Sequence, residues 1–231
     1  MTEEMVSELE SQIGYIFKNK DLARQAMTHR SYLNENPDWG LNQNERLEFL
    51  GDAVLELVVT EYLYKNYPNP EGEMTNWRAA LVNANMLAQI SQSFDLNKYL
   101  LLSRGEAKDT GRARQYILAN AVEALIGAIY LDQGYEAARK FIEKFVLVQL
   151  PQIIREGSYR DSKSLLQEEA QERSGITPTY EVLEEWGPDH ARNFRVGVFL
   201  GREQIGIGEG PSKQDAQQLA AQDALKKKQW S

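Results

Sequence analysis

The run Asn44 to Leu55, NERLEFLGDAVL, sets three carboxylates among apolar residues in a segment that reads as one helix. Glu45, Glu48 and Asp52 fall at i, i+3 and i+7, so a helix gathers them on one face. Exposed helix faces usually mix charge signs, whereas this stripe is purely acidic, and Gly51 interrupts it where helix propensity disfavours glycine. Carboxylates packed together raise one another's pKa unless a cation compensates. A hard divalent ion such as magnesium or manganese, which takes oxygen ligands, supplies that compensation. The stripe therefore reads as half of a carboxylate metal site, and spacing alone leaves a plain solvated acidic face open as well.

A second segment supplies a counterpart. Ile117 to Ala128 (ILANAVEALIGA) is apolar almost throughout, with Glu123 as its lone charge. A buried Glu123 has to be paired, protonated or metal-bound, so a satisfied core carboxylate is the alternative to a ligand. Asn120 lies three residues earlier and shares its face. Gly51, Ala53, Ala119, Ala121 and Ala124 are small enough to let the two helices approach closely.

The organisation around these helices changes once along the chain. Helix-period apolar positions mark residues 22–28, 45–67, 74–94, 116–131 and 135–150, with breaks at Pro37, at Pro68-Asn69-Pro70 and between Gly105 and Gly111. Pro151 is expected to end the last of these helices. Beyond a short polar linker, residues 162–173 read as a helix. Residues 179–184, 193–200 and 203–208 read as strands, and 212–226 as a closing helix with Ser212 at its N-cap. These expectations give a helical domain at 1–155, a linker at 156–160 and a compact α-β-β-β-α domain of the α+β class at 161–231.

With 231 residues and no cysteine, the chain has room for two ordinary domains and excludes disulfides and thiolate metal sites, which fits a reducing cytoplasm. No window approaches a membrane-spanning apolar run, and the acidic N-terminus lacks the pattern of a secretory signal, so no membrane partner is expected. Net charge is −8, and residues 158–231 carry ten Lys and Arg against twelve Asp and Glu. Nucleic-acid binding by such a chain has to rest on local geometry more than on its overall field. A carboxylate-bridged di-iron oxidase would need Glu-x-x-His pairs, which are absent with only His29 and His190 present.

NERLEFLGDAVL closely resembles the signature of the ribonuclease III family. Ala26-Met27-Thr28-His29-Arg30-Ser31-Tyr32, the Arg104-Gly105-Glu106 loop and the helix around Glu123 are similar to further elements of it. The resemblance implies an all-α catalytic domain followed by a double-stranded RNA-binding domain. It implies a magnesium-dependent endoribonuclease, with manganese as a substitute, that pairs into a homodimer through the helical domain. Such an enzyme cuts ribosomal and messenger precursors to 5′-phosphate and 3′-hydroxyl ends with short 3′ overhangs. Transferred position by position, Asp52 and Glu123 are catalytic, and Glu48, Asn120 and Glu123 hold the metal. Glu45 and Glu71 support the acidic cleft, while His29 is read as structural. The chain departs from the pattern at Asn120, where the family commonly has Asp. That departure motivates a rival reading, a regulator that binds duplex RNA without cutting it.

The C-terminal segment is similar to a double-stranded RNA-binding domain over nearly its full length. Gly208-Glu209-Gly210-Pro211-Ser212-Lys213 is expected to form a turn presenting Ser212, Lys213 and backbone N–H groups to phosphates. By the same resemblance Gln167 and Glu168 touch 2′-hydroxyls in one minor groove and His190 reaches the next. Gln214 and Gln217 stand where strong binders often carry lysine, which leaves Lys213 a lone cation in its turn.

Overall fold

Two glycines decide how the helical half is assembled. In the computed structural model, a Cβ on Gly51 would lie 1.7 Å from the Glu123 carbonyl oxygen, and one on Gly127 would lie 2.2 Å from the Leu47 carbonyl oxygen. The two longest helices, Glu45–Asn66 and Arg112–Gln133, therefore meet backbone to backbone. The structure describes residues 1–156, 162–188 and 192–230. The chain divides into two compact units, Met1–Tyr159 and Arg160–Ser231.

The first unit is helical: α1 (Glu3–Ile13), α2 (Lys20–Ala26), α3 (Arg30–Glu35), α4 (Glu45–Asn66), α5 (Glu71–Val82), α6 (Ala84–Gln92), α7 (Arg112–Gln133), α8 (Tyr135–Phe145) and α9 (Leu150–Glu156). Helix α7 is the centre. Leu118, Ala119, Ala121, Val122 and every residue from 124 to 129 are buried, so it is apolar all round instead of on one stripe. Helices α2, α4, α6 and α8 pack around it. A segment around residue 28 is stitched in from both sides. Leu101 N–H donates to the Met27 carbonyl at 2.8 Å, Asn44 N–H to the Thr28 carbonyl at 2.9 Å, and the Asn44 side-chain amide to the Ala26 carbonyl at 3.1 Å.

Three local expectations are corrected. Apolar periodicity assigns no helix before residue 22, yet α1 forms there. Thr2 Oγ1 caps it by accepting from Met5 N–H, and Gly14 closes it at φ 71°. The expected single helix over 74–94 is two helices. Asn83 leaves helical geometry at ψ 157°, donates its side-chain amide to the Ala79 and Ala80 carbonyls that end α5, and accepts from Met86 N–H to open α6. Apolar periodicity runs through this break because buried positions lie on both sides of it, Trp77 and Leu81 before and Leu87, Ala88 and Ile90 after. Pro151 does not terminate a helix. The break comes earlier, after Phe145, and Pro151 is the second residue of α9, in a first turn where its missing N–H is no loss.

The second unit is α10 (Ser162–Ser174), a three-stranded antiparallel sheet of β1 (Thr179–Trp186), β2 (Asn193–Leu200) and β3 (Glu203–Gly210), and α11 (Lys213–Lys228). Tyr180 pairs with Val198 and Val182 with Val196 before a bulge between Val182 and Glu184, while Val196 pairs with Gly208 on the other side. The expected turn at 208–213 is shorter than read, because Gly208 to Gly210 belong to β3. Alternate glycines of that strand lie against α11: a Cβ on Gly208 would come within 2.3 Å of both Ala220 N and the Ala216 carbonyl oxygen. Side-chain period on the strand thus meets alanines at helical spacing, which lets the helix sit unusually close to the sheet.

Gly51→Ala should lower the urea midpoint of unfolding with little change in slope. Overpacking a core usually costs about 1–3 kcal/mol, and here the obstacle is backbone on both sides, so a loss of about 3 kcal/mol or more is expected. An unchanged midpoint would show that the helices can part at no cost.

Candidate active site

The glycine contact carries the acidic residues with it. Gly51 lies against the backbone of Glu123, and Glu48 and Asp52 flank Gly51 on its own helix. Glu45 and Asp52 are exposed, while Glu48, Asn120 and Glu123 are half-buried. The structure thus brings Glu48, Asp52, Asn120 and Glu123 into one electrostatic cluster, from two segments about 70 residues apart in sequence. Ala119, Ala121 and Ala124 are buried as close-approach residues, but Ala53 is exposed and takes no part in the crossing.

Burial first, then the charges of Asp52 and Glu48, push the Glu123 carboxyl up to about 8. Glu48 is raised by burial and by Glu45 and Asp52, and a hydrogen bond with Asn120 pulls the other way. Among the described residues, no three Asp, Glu, His or Cys side chains are already gathered on a common point suited to a metal ion. The donor chemistry nevertheless fits a hard cation: three carboxylates and one amide oxygen, with mutual repulsion that a divalent charge would relieve.

Glu45 is held at the start of α4 by Gln43. Its N–H donates to Gln43 Oε1 at 2.5 Å, and Gln43 Nε2 donates to Glu45 Oε2 at 2.9 Å. Arg30 Nη1 stands 3.9 Å from Glu45 Oε1. Spacing singles out neither Gln43 nor Arg30, because Gln43 lies before α4 and Arg30 opens α3, off the helix whose period marks the stripe. Glu71, the first residue of α5, lies elsewhere. It lines a recess with Thr60, Tyr64 and Arg78, eight or more residues along α4 from Asp52, roughly 12 Å or more at helical rise. His29 is not among the carboxylates: its Nδ1 lies 2.8 Å from Ser31 Oγ and caps α3. Burial holds its pKa below the usual histidine value.

In the second unit Ser212 caps α11. Its Oγ accepts from Asp215 N–H at 3.1 Å and donates to Asp215 Oδ2 at 2.7 Å. Lys213 is exposed, with Nζ 3.1 Å from Glu185 and 5.4 Å from the centre of the Phe194 ring. The cation is less isolated than its turn suggested, because Lys163 of α10 donates to Gln217 Oε1 at 2.7 Å, one turn along α11 from Lys213. Gln167 and Glu168 are exposed on α10, with Gln167 one turn from Lys163. His190 lies outside the described residues.

Comparison with known proteins agrees with this two-part arrangement. Residues 19–150 match the family model described as Ribonuclease-III-like, and residues 162–228 match the double-stranded RNA binding motif. The chain is 45% identical over 222 residues to a Ribonuclease 3 from Nitratiruptor sp., covering 96% of each protein. It is 42% identical to a Ribonuclease 3 from Enterococcus faecalis, covering 98% of each. The crystallised nuclease domain of a Campylobacter jejuni ribonuclease III aligns with a TM-score of 0.57 at 41% identity, over 63% of this chain and 99% of that one. The chain belongs to the ribonuclease III family of double-strand-specific endoribonucleases.

Proposed function

We propose that the cluster at the α4–α7 crossing is the cutting site and that it works with magnesium, for which manganese can substitute. The observation that carries this reading is Glu123, a carboxyl half-buried on α7 where α4 crosses it, beside Glu48 and Asp52, so that burial and their charges push it up to about 8. Glu48, Asn120 and Glu123 would hold the ion through oxygen. When bound, it activates water and stabilises the charge that develops on phosphate. Asp52, the exposed member, orients the attacking water by accepting its hydrogen bonds. Water oxygen bonds to phosphorus, the bond to the 3′ oxygen breaks, and that oxygen takes a proton. The products carry 5′-phosphate and 3′-hydroxyl ends. Glu45 extends the acidic cleft at the start of α4, whereas Glu71, expected to join it, stands apart beside Thr60 and Arg78 and takes no part.

The pairing partner is a second copy of this chain. Phe49 (81% exposed), Ala53, Leu57 and Tyr64 (79% exposed) run along α4, a stripe of large apolar surface that water alone would not favour. The similar nuclease domain from Campylobacter jejuni has a structurally flexible region involved in dimer formation. Two sites facing opposite strands would leave short 3′ overhangs. The helical domain (1–155) cuts, and the domain after the linker (161–231) grips duplex RNA through Gln167, Glu168, His190, Ser212 and Lys213. Ribosomal and messenger precursors in the cytoplasm are the substrates this reading assigns. No helix among the described residues is long and apolar enough to cross a membrane.

The binding-only reading is not favoured. Asn120 removes one negative charge from the set, but its amide oxygen remains a ligand and Glu48, Asp52 and Glu123 are all in place. Incubating the purified chain with long duplex RNA in magnesium or in EDTA tests the whole reading: fragments should form only with the metal.

Glu123→Gln should abolish cleavage while duplex affinity in a gel shift stays within about twofold, since it touches no phosphate-gripping residue. The metal-free variant should also melt higher than the parent near neutral pH. Glu123 favours its protonated form in the fold, so metal-free folding loses stability as pH rises from the ordinary carboxylate range towards 8, and the neutral amide escapes that loss. A parallel fall in affinity and cutting would make Glu123 structural.

Removing residues 158–231 should leave a chain that still cuts at low salt but captures substrate weakly near about 0.15 M. The remaining phosphate contacts are few, and such contacts weaken as counterions accumulate. Equal activity of both forms at that salt would show that the second domain is not the RNA grip.

Asn120→Asp should lower the magnesium concentration for half-maximal cutting. Unit charges about 4 Å apart interact by roughly 4 kcal/mol at an effective dielectric near 20, most of it offset by desolvation and by repulsion from Glu48 and Glu123. A modest gain in metal affinity is expected, with little change in maximal rate. Superimposable titrations would remove residue 120 from the ligand set, and cutting by the Asp form alone would restore the binding-only reading.

A further inference from the structure

The acidic face continues into a recess that brings arginine to its edge. On α7, Ala113, Tyr116, Asn120 and Glu123 follow at spacings of three, four and three, so one helix face runs from the cutting cluster towards the start of the helix. At that end lies an open recess of about 700 Å³, whose lining includes Arg30, Ser31, Asn34, Glu106 and Tyr116, with Arg112 at its rim beside the Tyr116 ring. Arg30 joins the two regions, because its guanidinium also stands near Glu45 of the acidic stripe.

The arginines here fall into two groups. Arg114 is spent on structure: Nε donates to the Asp109 carbonyl at 3.1 Å and Nη2 to the Glu106 carbonyl at 2.5 Å, which shapes the loop before α7. Arg30 is 75% exposed, and its ion pair with Glu45, at 3.9 Å, is too long for a hydrogen bond. Arg112 places its guanidinium 6.0 Å from the centre of the half-exposed Tyr116 ring. The floor beneath them is rigid, since Ser31 Oγ lies against His29 and accepts from Ser103 N–H at 3.0 Å. A polyanion approaching Glu45, Glu48 and Asp52 is repelled, so a strand can lie there only where nearby cations hold its phosphates.

We infer that this recess positions the RNA strand beside the cut. Arg30 and Arg112 hold a phosphate flanking the scissile one, and Tyr116 packs against the adjoining ribose. Arg30, Arg112 and Tyr116 are positioning residues, and the assignment rests on the duplex-RNA endonuclease reading. Arg30 also partly offsets the negative charge of Glu45, so the strand would pass from the two arginines to the acidic cluster.

The test uses the full chain in the Glu123→Gln background, with duplex RNA bound in EDTA across a salt series. Arg30→Gln should weaken binding roughly tenfold and reduce the slope of log affinity against log salt by about 0.9, the loss of one phosphate contact. Arg30→Lys should restore most of the slope. In the cutting chain, Tyr116→Ala should raise KM and spread cleavage over neighbouring positions of a hairpin, and Tyr116→Phe should keep both near the parent. An unchanged slope with Arg30→Gln, whether or not its melting temperature falls, would overturn the inference. So would Tyr116→Ala cutting at the parent's positions with the parent's KM. If the parent itself failed to cut duplex RNA with magnesium, the endonuclease reading would fall, independently of the salt series.

Discussion

Backbone contact between α4 and α7 brings the acidic cluster together. With no side chain between Gly51 and Glu123, nor between Gly127 and Leu47, the helices cross closer than side-chain packing permits. That closeness places carboxyls three residues before and one residue after Gly51 next to Glu123 of α7. A methyl group at either glycine would push the helices apart and relax the repulsion that distinguishes this cluster from a solvated acidic face. The small residues are therefore an electrostatic device as much as a packing one.

Repulsion on its own would be a defect. The site keeps it because the three carboxylates differ in environment. Glu123 is half-buried within the core helix and resists ionising, whereas Asp52 is exposed at the crossing. Glu48 lies between, steadied by Asn120. Under the proposed mechanism, graded burial would sort chemically similar groups into holders of a cation and an orienter of water. It also explains how a chain of net charge −8 can act on a polyanion. Part of the negative charge lies where a divalent ion would neutralise it, and Arg30 stands beside Glu45.

The RNA-binding unit solves its packing by the same means on a different scaffold. Gly206, Gly208 and Gly210 face Ala216, Ala220 and Ala224, so α11 lies close over the sheet and its capped start, at Ser212, comes directly off β3. Lys213 and Lys163 then share one side of α11 although they lie 50 residues apart. A module short of lysines gains a second cation through the packing of α10 on α11.

Sequence by itself determined the helical first domain, the α-β-β-β-α order of the second, and most members of the acidic cluster. Helical period and strand period are local properties, and a lone glutamate in an apolar helix is conspicuous in any context. Residues 193–200 were legible as a strand for this reason, and Glu45 as the start of α4. Capping choices were only partly legible: Thr2 opens α1 and Asn83 splits an apolar run through hydrogen bonds that periodicity does not record. What only the tertiary structure decided was proximity. Which small residues touch, that Gly51 and Gly127 do and Ala53 does not, depends on the rotation of each helix about its axis. Where Glu71 sits, and that Arg30 of α3 and Tyr116 of α7 line one recess, depends on contacts between distant parts of the chain. Such contacts follow from the packing of the whole core, to which no local window of sequence has access.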